Sequence, residues 1–280
     1  MLTTSTLRLL GERDLIDVFD LLAHDPVAHV FVESRVRACA GRTWRLGGEL
    51  WGYVDNGRLR SLCYSGANVV PVLADELAIR AFADRLQRQG RRCSSIVGEA
   101  EQVRALWQQL EPAWGPGRDV RIDQPLLAID HDPRNQPDPL VRRVRPDEID
   151  ILLPACIAMF TEEVGVSPLA HDGGSMYRAR VSELIASGRA FARIEDGQVV
   201  FKAEVGAVTP AACQVQGVWV EPSRRGTGLS APGMAAVVAL ARASLAPSVS
   251  LYVNEFNEAA RRSYERVGFR QVGTFATVLF

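Results

Sequence analysis

The sequence predicts an α+β fold divided into two domains, and three observations support this prediction. The chain has 280 residues, whereas a typical single domain has ~100 to 200. Residues 131–139 show no hydrophobic periodicity and contain three prolines, which is typical of an interdomain linker. Residues 1–130 and 140–280 each combine helical and strand-like patterns in the same order, so the economical interpretation is a tandem duplication.

In the N-terminal half, an opening helix is predicted by apolar residues at helical spacing. These residues are Leu15, Val18, Phe19 and Leu22. The patterns that follow predict strands at residues 51–54, 59–64, 93–97 and 120–129, and helices at residues 75–89 and 101–110.

The C-terminal half is predicted to have the element order β-α-α-β-β-β-α-β-α-β. Its first helix is long and amphipathic and starts near Asp147. A second helix is predicted at residues 176–186, and the turn Glu195-Asp196-Gly197 predicts a hairpin. Met234 starts another helical pattern, and Asn257 is placed to cap a helix that ends at Gly268. The predicted strands are at residues 190–194, 199–208, 213–220, 249–253 and 269–280.

Composition places the chain among globular proteins and argues against several partners. Apolar residues make up 47%, and 33 acidic residues nearly balance 32 basic ones, which excludes the disordered and collagen-like classes. Only Lys202 is a lysine, and no basic stripe indicates a nucleic-acid partner. No apolar run is long enough for a membrane span and no secretory leader is visible, so we expect no membrane partner and a cytoplasmic location.

The cysteines and histidines predict neither disulfides nor a metal site. The five cysteines are dispersed without Cys-x-x-Cys spacing, which is typical of small buried side chains. The histidines lack the spacing of metal ligands or of a nucleophile triad. They are His24, His29, His131 and His171. We therefore expect no metal cofactor.

The most informative segment is a predicted strand, a glycine-containing turn and a helix at residues 218–232. Gly226 and Gly228 permit positive φ angles, so that successive N–H groups can point into one concavity at a helix N-terminus. Such a concavity suits a pyrophosphate, and Arg224 and Arg225 add positive charge beside it. The spacing differs from that of a Walker loop and from Gly-x-Gly-x-x-Gly. Taken alone, the turn is only weakly specific, and a purely structural turn is the favoured interpretation.

The wider pattern resembles the GNAT family, the GCN5-related N-acetyltransferases. Arg225, Gly228 and Ser230 fall on that family's Arg/Gln-x-x-Gly-x-Gly/Ala pattern, although Ser230 departs from the usual glycine or alanine. A later block also matches, at Asn257, Ala260, Tyr264, Gly268 and Phe269. The resemblance implies two GNAT-like domains, each a mixed, mostly antiparallel sheet flanked by helices, with acetyl-CoA as co-substrate and no metal.

The resemblance also implies a set of cofactor-binding residues. In this family the acyl-CoA lies where two central strands separate, and the backbone of the first strand holds the pantetheine arm. Gly217 interrupts that strand, where a bulge or an ordinary strand glycine are both compatible with the sequence. The predicted cofactor-binding residues are Val218, Trp219, Val220, Arg225, Gly226, Thr227, Gly228, Leu229, Ser230, Ala231, Asn257 and Ala260.

Two catalytic residues are predicted, a proton donor and a base. The resemblance assigns Tyr264 to protonating the leaving thiolate, although a core tyrosine would show the same helical spacing. An alkylammonium has a pKa of ~10.4, so a base or a water relay is expected. Glu204 is the first candidate because it lies between apolar neighbours on a predicted strand. The other candidates, for which solvated positions are the simpler interpretation, are Glu162, Glu163 and Glu255. Glu162 and Glu163 could instead bind a cationic amine.

The N-terminal half lacks this chemistry. Before its helix at Asp75 it has Pro71-Val-Leu-Ala-Asp instead of Arg-Gly-x-Gly, and Trp107 aligns with Tyr264. We expect this half to be a degenerate copy that covers the active half's sheet and walls the acceptor cleft. The resulting hypothesis is an acetyl-CoA-dependent N-acetyltransferase that acts on a primary amine of a small molecule or peptide by direct attack. The alternative is a non-catalytic acyl-CoA sensor or a protein-interaction module.

Overall fold

The computed structural model describes residues 5–39, 46–170 and 173–280, and its contacts divide the chain into two compact units. The N-terminal unit comprises the described residues up to Leu126, together with Tyr252–Phe256 and Gln271–Phe280. The C-terminal unit comprises Leu127–Leu251 and Asn257–Arg270. This division differs from the predicted boundary at residues 131–139, because the last strand of the chain pairs within the N-terminal unit.

Both halves of the chain show the element order β-α-α-β-β-β-α-β-α-β. In the first half the elements are β1 (Ser5–Leu9), α1 (Leu15–Leu22), α2 (Val30–Cys39), β2 (Gly48–Asp55), β3 (Arg58–Gly66), β4 (Asn68–Val72), α3 (Glu76–Gln89), β5 (Ser95–Glu99), α4 (Ala100–Trp114) and β6 (Asp119–Ile129). In the second half they are β7 (Arg142–Arg143), α5 (Ile149–Val164), α6 (Ser175–Ala186), β8 (Ala190–Glu195), β9 (Gln198–Val208), β10 (Ala212–Val220), α7 (Ser230–Ser244), β11 (Ser248–Tyr252), α8 (Glu258–Val267) and β12 (Arg270–Leu279). The predicted order of the second half is therefore confirmed.

The sequence patterns missed three elements of the first half, each for a physical reason. Strand β1 has a mostly exposed surface and no clear alternation, so its signal is weak. Helix α2 contains three valines, whose β-branched side chains favour strands. Strand β4 contains Pro71, which argues against a strand interior because proline cannot donate a backbone hydrogen bond.

The sheet of the N-terminal unit runs in the order β1-β2-β3-β4-β5-β12. Its pairs are antiparallel except for the parallel pair of β4 and β5. Helix α3 begins at the capping residue Asp75, whose carboxylate accepts a hydrogen bond from the N–H of Ala78 at 2.9 Å. Its apolar face buries Ile79 and Phe82 in the core of this unit.

The sheet of the C-terminal unit runs in the order β7-β8-β9-β10-β11, and only β10 and β11 are parallel. Helices α5 and α6 bury apolar residues against one face, in a core that includes Trp219. Helix α7 packs on the opposite face of the sheet. Phe201 of β9 points to that face, because alternate residues of a strand point to opposite sides of a sheet. Gly233 allows this close approach, since a Cβ there would lie 2.9 Å from the ring of Phe201.

Within the described residues, no helix has the length and apolar character that a membrane crossing requires.

Candidate functional site

The two parallel strands of the C-terminal unit separate along their length. Strands β10 and β11 pair only at Ala212–Ser248, Cys213–Val249 and Gln214–Ser250. Beyond Gln214, β10 stays paired with β9 on its other side as far as Val220. The backbone edge of residues 215–220 therefore faces a gap in the sheet rather than a neighbouring strand. The predicted cofactor-binding residues Val218, Trp219 and Val220 all lie along this edge.

Strand β10 carries a bulge at the position predicted for it. Gln216 pairs with Glu204 and Trp219 pairs with Lys202, so two residues of β10 oppose one of β9. Gly217 has a φ angle of +60°, in the left-handed region that glycine adopts without strain. The bulge interpretation of Gly217 is thus confirmed.

The gap leads to the loop of residues 221–229 and the N-terminus of α7. Gly226 and Gly228 have φ angles of +77° and +87°, and a Cβ at either would meet open space. The N–H groups of Thr227 and Gly228 donate to no backbone carbonyl in the described part of the chain. They precede a helix of fifteen residues, whose N-terminus favours negative charge. The loop thus combines accessible backbone donors, open space and a favourable helix end.

One carboxylate connects this loop to helix α5. Glu162 accepts a hydrogen bond from the indole Nε1 of Trp219 at 3.3 Å and forms an ion pair with Arg225 at 2.7 Å. The guanidinium of Arg225 also donates to the carbonyl of Val220 at 3.1 Å. Glu162 was predicted only as a possible base or amine ligand, whereas here it holds two predicted cofactor-binding side chains. The neighbouring Arg224 pairs instead with Glu195 at 2.9 Å.

Helix α8 places the predicted proton donor in the interior. Asn257 caps the helix by accepting a hydrogen bond from the N–H of Ala260 at 3.2 Å, and Gly268 ends it in the left-handed conformation. Tyr264 is only 6% exposed and packs edge-on against Phe269. Burial, with a contribution from the charge of Glu163, raises the pKa of Tyr264, so its hydroxyl stays protonated through the neutral range. Ser230, at the start of α7, accepts a hydrogen bond from Ser263 on this helix at 2.9 Å.

A buried ion pair lies under the bulge. Lys202 is 1% exposed and its Nζ lies 3.2 Å from the carboxylate of Glu204, which is 8% exposed. Gln216 donates to the other oxygen of Glu204 at 2.9 Å. Burial is the largest single influence on the pKa of Lys202 and lowers it, but Glu204 and Cys156 together raise it more, so the net shift is upward.

The other candidate bases lie elsewhere. Glu163 is exposed on the last turn of α5, where its charge reaches Tyr264. Glu255 belongs to the N-terminal unit, where its N–H donates to the carbonyl of Asp123 at 3.3 Å.

The corresponding region of the N-terminal unit is closed by its own side chains. Only three residues connect β4 to α3, and Asp75 occupies the N-terminus of that helix. The N–H of Ala74 donates to the side chain of Gln102 at 2.9 Å. Trp107 packs edge-on against Phe280 in the core. The connection between β4 and α3 therefore has no glycine turn, and the N–H groups of Ala74 and Ala78, which could otherwise bind an anion, already donate to side chains.

No cluster of three His, Cys, Asp or Glu side chains suited to a metal ion occurs among the described residues. His171 lies outside those residues.

Comparison with known proteins assigns a family to the segment that carries this site. Residues 162–269 match the model of the acetyltransferase (GNAT) family, which includes β10, the 221–229 loop, α7 and α8. This part of the chain belongs to the GNAT family. Residues 48–152 match a second model, a domain of unknown function (DUF4081), which extends across the predicted linker. No curated protein matches the chain in sequence.

Solved structures show that the tandem arrangement is a known GNAT fold. A tandem GNAT protein from the clavulanic acid biosynthesis pathway is 14% identical with a TM-score of 0.56, over 99% of this chain and 98% of that one. A GCN5-related N-acetyltransferase from Sphaerobacter thermophilus is 17% identical with a TM-score of 0.57, over 98% and 95%. A Drosophila protein is 12% identical with a TM-score of 0.66, over 99% of both chains. These similarities concern the fold of the whole chain.

Proposed function

We propose that the protein is an acetyl-CoA-dependent N-acetyltransferase that transfers acetyl to a primary amine by direct attack. The observation that carries this proposal is the open edge of β10 at residues 215–220, which leads to the glycine loop at the N-terminus of α7. An extended pantetheine arm can pair with a free strand edge, and a pyrophosphate can accept hydrogen bonds from the loop. Both features occur in the segment that matches the GNAT family model.

The residues around the gap fit the proposed co-substrate. Gly226 and Gly228 leave space in front of the backbone, where side chains would obstruct a pyrophosphate. Arg225 adds a cation at the rim, although Glu162 currently holds it. Pyrophosphate binding would therefore compete with Glu162 for this guanidinium. Asn257 is predicted to bind the cofactor and to cap a helix. Its side chain caps α8, the helix that carries Tyr264.

The proposed reaction needs one proton acceptor and one proton donor. Glu204 takes a proton from the bound ammonium, and the neutral nitrogen attacks the thioester carbonyl to form the N–C bond. The C–S bond then breaks, and its electron pair stays on the sulfur, which takes a proton from Tyr264. The nitrogen loses a second proton after the attack, and this proton replaces the one that Tyr264 gave to the sulfur. Each turnover therefore yields an amide, a free thiol and one released proton. No covalent enzyme intermediate is required.

The acceptor is proposed as a small molecule or a peptide with a primary amine. Three exposed apolar residues lie in or next to the segment between α5 and α6, namely Val166, Leu169 and Met176. Together with the acidic Glu163 they would favour an amine attached to an apolar group.

Calorimetric titration with acetyl-CoA and free CoA tests the first half of the proposal. We expect one site per chain, because the N-terminal unit fills its helix N-terminus with Asp75. A panel of primary amines, assayed by release of free thiol, then tests transfer. Binding without transfer to any amine would favour a non-catalytic acyl-CoA sensor, and no binding would refute the proposal.

A further inference from the structure

The only lysine of the chain lies in the interior, where a charged side chain is costly. Lys202 is 1% exposed, on the face of β9 that α5 and α6 cover. Moving an ammonium or a carboxylate out of water costs several kcal/mol per ion, and an apolar pair of similar volume is often at least as stable. Fold stability alone therefore gives no reason for Lys202 and Glu204 at this position.

The groups around Glu204 leave Lys202 as its neutralising charge. Gln216 is uncharged and binds one carboxylate oxygen, while Lys202 lies at the other. Two titratable groups also face this pair from the covering helices, Cys156 on α5 and Tyr177 on α6. Burial raises the pKa of both Cys156 and Tyr177, so both remain uncharged at neutral pH. Arg180 is engaged by Glu183 at 3.0 Å and by the carbonyl of Gly206.

Because Gly217 has no side chain, the Lys202–Glu204 ion pair lies directly beside the bulge in β10. A Cβ on Gly217 would lie 3.2 Å from the carboxyl carbon of Glu204, 3.2 Å from Nζ of Lys202 and 2.9 Å from Met159. At Gly217, no side chain of β10 therefore lies between the ion pair and the bulged backbone. The same backbone begins the open edge to which we assign the pantetheine arm.

We propose that Lys202 is a positioning residue for deprotonation of the acceptor amine. Its ammonium offsets the negative charge of the buried Glu204 carboxylate and fixes one oxygen, while Gln216 fixes the other, beside the bulge at Gly217. This inference rests on the proposed function, in which Glu204 takes the amine proton. It adds a residue that neither the family model nor the sequence pattern assigns.

The pH dependence of transfer tests this role. With acetyl-CoA and the best amine of the panel, the acid limb of kcat/KM should move upward by about one pH unit or more in Lys202→Met, because a buried carboxylate without a cation binds a proton more readily. Lys202→Gln keeps a hydrogen-bond donor without the charge and should move the limb in the same direction. Lys202→Arg should restore it.

A matched control separates this effect from general destabilisation. Glu148 is also buried and is paired with Arg142 at 2.7 Å, at β7 in the same unit. Arg142→Met likewise removes a cation from a buried carboxylate, although Arg145 still pairs with Glu148 at 3.0 Å. It should destabilise the fold but leave the pH profile unchanged. An unchanged profile in both Lys202→Met and Lys202→Gln would overturn the inference, even if their activity falls.

A second readout is independent of activity. Because Lys202 is the only lysine, labelling with side-chain ¹⁵N lysine gives a single NMR signal, whose chemical shift reports its charge. We expect an ammonium throughout the pH range in which the protein is folded, and a midpoint at least about two pH units lower in Glu204→Gln. A lysine whose midpoint is the same in both proteins would overturn the pairing. A wild-type chain that binds acetyl-CoA but acetylates no amine would refute the proposed function and with it this role, whatever the NMR signal shows.

Discussion

Gly217→Ala probes the fold and the site at once, and Gly197→Ala is its matched control. Both glycines have a positive φ angle, +60° at Gly217 and +75° at Gly197. A Cβ at Gly197, in the hairpin turn between β8 and β9, would meet nothing within 4 Å. A Cβ at Gly217 would instead press on Met159, Glu204 and Lys202. The two variants therefore share the backbone cost and differ in the contact.

The magnitudes follow from these two contributions. Placing an alanine in the left-handed region costs roughly 1–2 kcal/mol, and both variants carry this cost. The flexible end of Met159 can move away, but Glu204 and Lys202 hold each other at 3.2 Å, so the added methyl must strain the pair. Such overpacking typically costs ~1–3 kcal/mol more. The free energy of unfolding should thus fall by about that much more in Gly217→Ala than in Gly197→Ala.

Urea unfolding of both variants measures the stability difference, and thiol release measures the effect on transfer. Gly197→Ala should transfer acetyl at the wild-type rate, whereas Gly217→Ala should be slower because its methyl displaces Glu204. Equal losses of stability in the two variants would show that the space beside Gly217 is not filled as described. Normal transfer by Gly217→Ala would refute the placement of Glu204 next to the reacting amine.

Three further substitutions test other parts of the argument. Tyr264→Phe should bind acetyl-CoA normally but transfer acetyl at least about 100-fold more slowly, measured by thiol release, because the leaving thiolate loses its proton donor. Gly228→Glu should weaken acetyl-CoA binding in calorimetry at least about tenfold, because it adds backbone strain and a like charge where we place the pyrophosphate. Hydrogen bonds from Arg142 lower the pKa of Glu148 from 4.5 to about 2, so this carboxylate stabilises the fold above pH 4.5 and loses that contribution as the pH falls towards 2. Glu148→Gln should lower the free energy of unfolding by about 1–3 kcal/mol at neutral pH and remove this part of the acid sensitivity.

Each of these substitutions has a control in the same chain. Tyr53→Phe removes the hydroxyl group of a buried tyrosine in the N-terminal unit and should leave transfer unchanged. Gly57 has a φ angle of +76° and open space around it, so Gly57→Glu should cost stability without weakening acetyl-CoA binding. Glu76→Gln removes an exposed carboxylate and should change stability by less than about 0.5 kcal/mol. If a control reproduces the effect of its partner, the assigned local cause is wrong.

Much of the fold could be predicted because local signals agree with tertiary packing. Asn257 and Gly268 mark the two ends of α8 through capping chemistry, which depends on only a few neighbouring residues. The turn at Asp196-Gly197 predicts the β8–β9 hairpin for the same reason, since both residues adopt positive φ angles. The association of β12 with the N-terminal unit could not be predicted, because the pairing of β12 with β5 is a long-range contact without a local signal.

The candidate site was predictable along the backbone but not in its side-chain pairing. The glycine spacing indicates the loop, and the apolar neighbours of Glu204 indicate its burial. Lys202 shares its face of β9 with Glu204, since the two are separated by one residue, and its being the only lysine was the available signal. The contacts of Glu162 with Trp219 and Arg225 join residues that are distant in sequence, and no local pattern predicts them.

The difference between the two halves shows which part of this fold carries the chemistry. Both halves share one element order, and both contain a pair of parallel strands connected by a helix. They differ in the connection, which has nine residues before α7 but only three before α3. A three-residue connection whose last residue is Asp75 satisfies the N-terminus of α3 from within, and its carboxylate would repel an anion. The longer connection keeps two glycines in positive φ and leaves backbone donors exposed in front of α7. Replacing residues 221–229 by the short Leu-Ala-Asp connection should therefore abolish acetyl-CoA binding while α7 still forms, because the new aspartate would cap it.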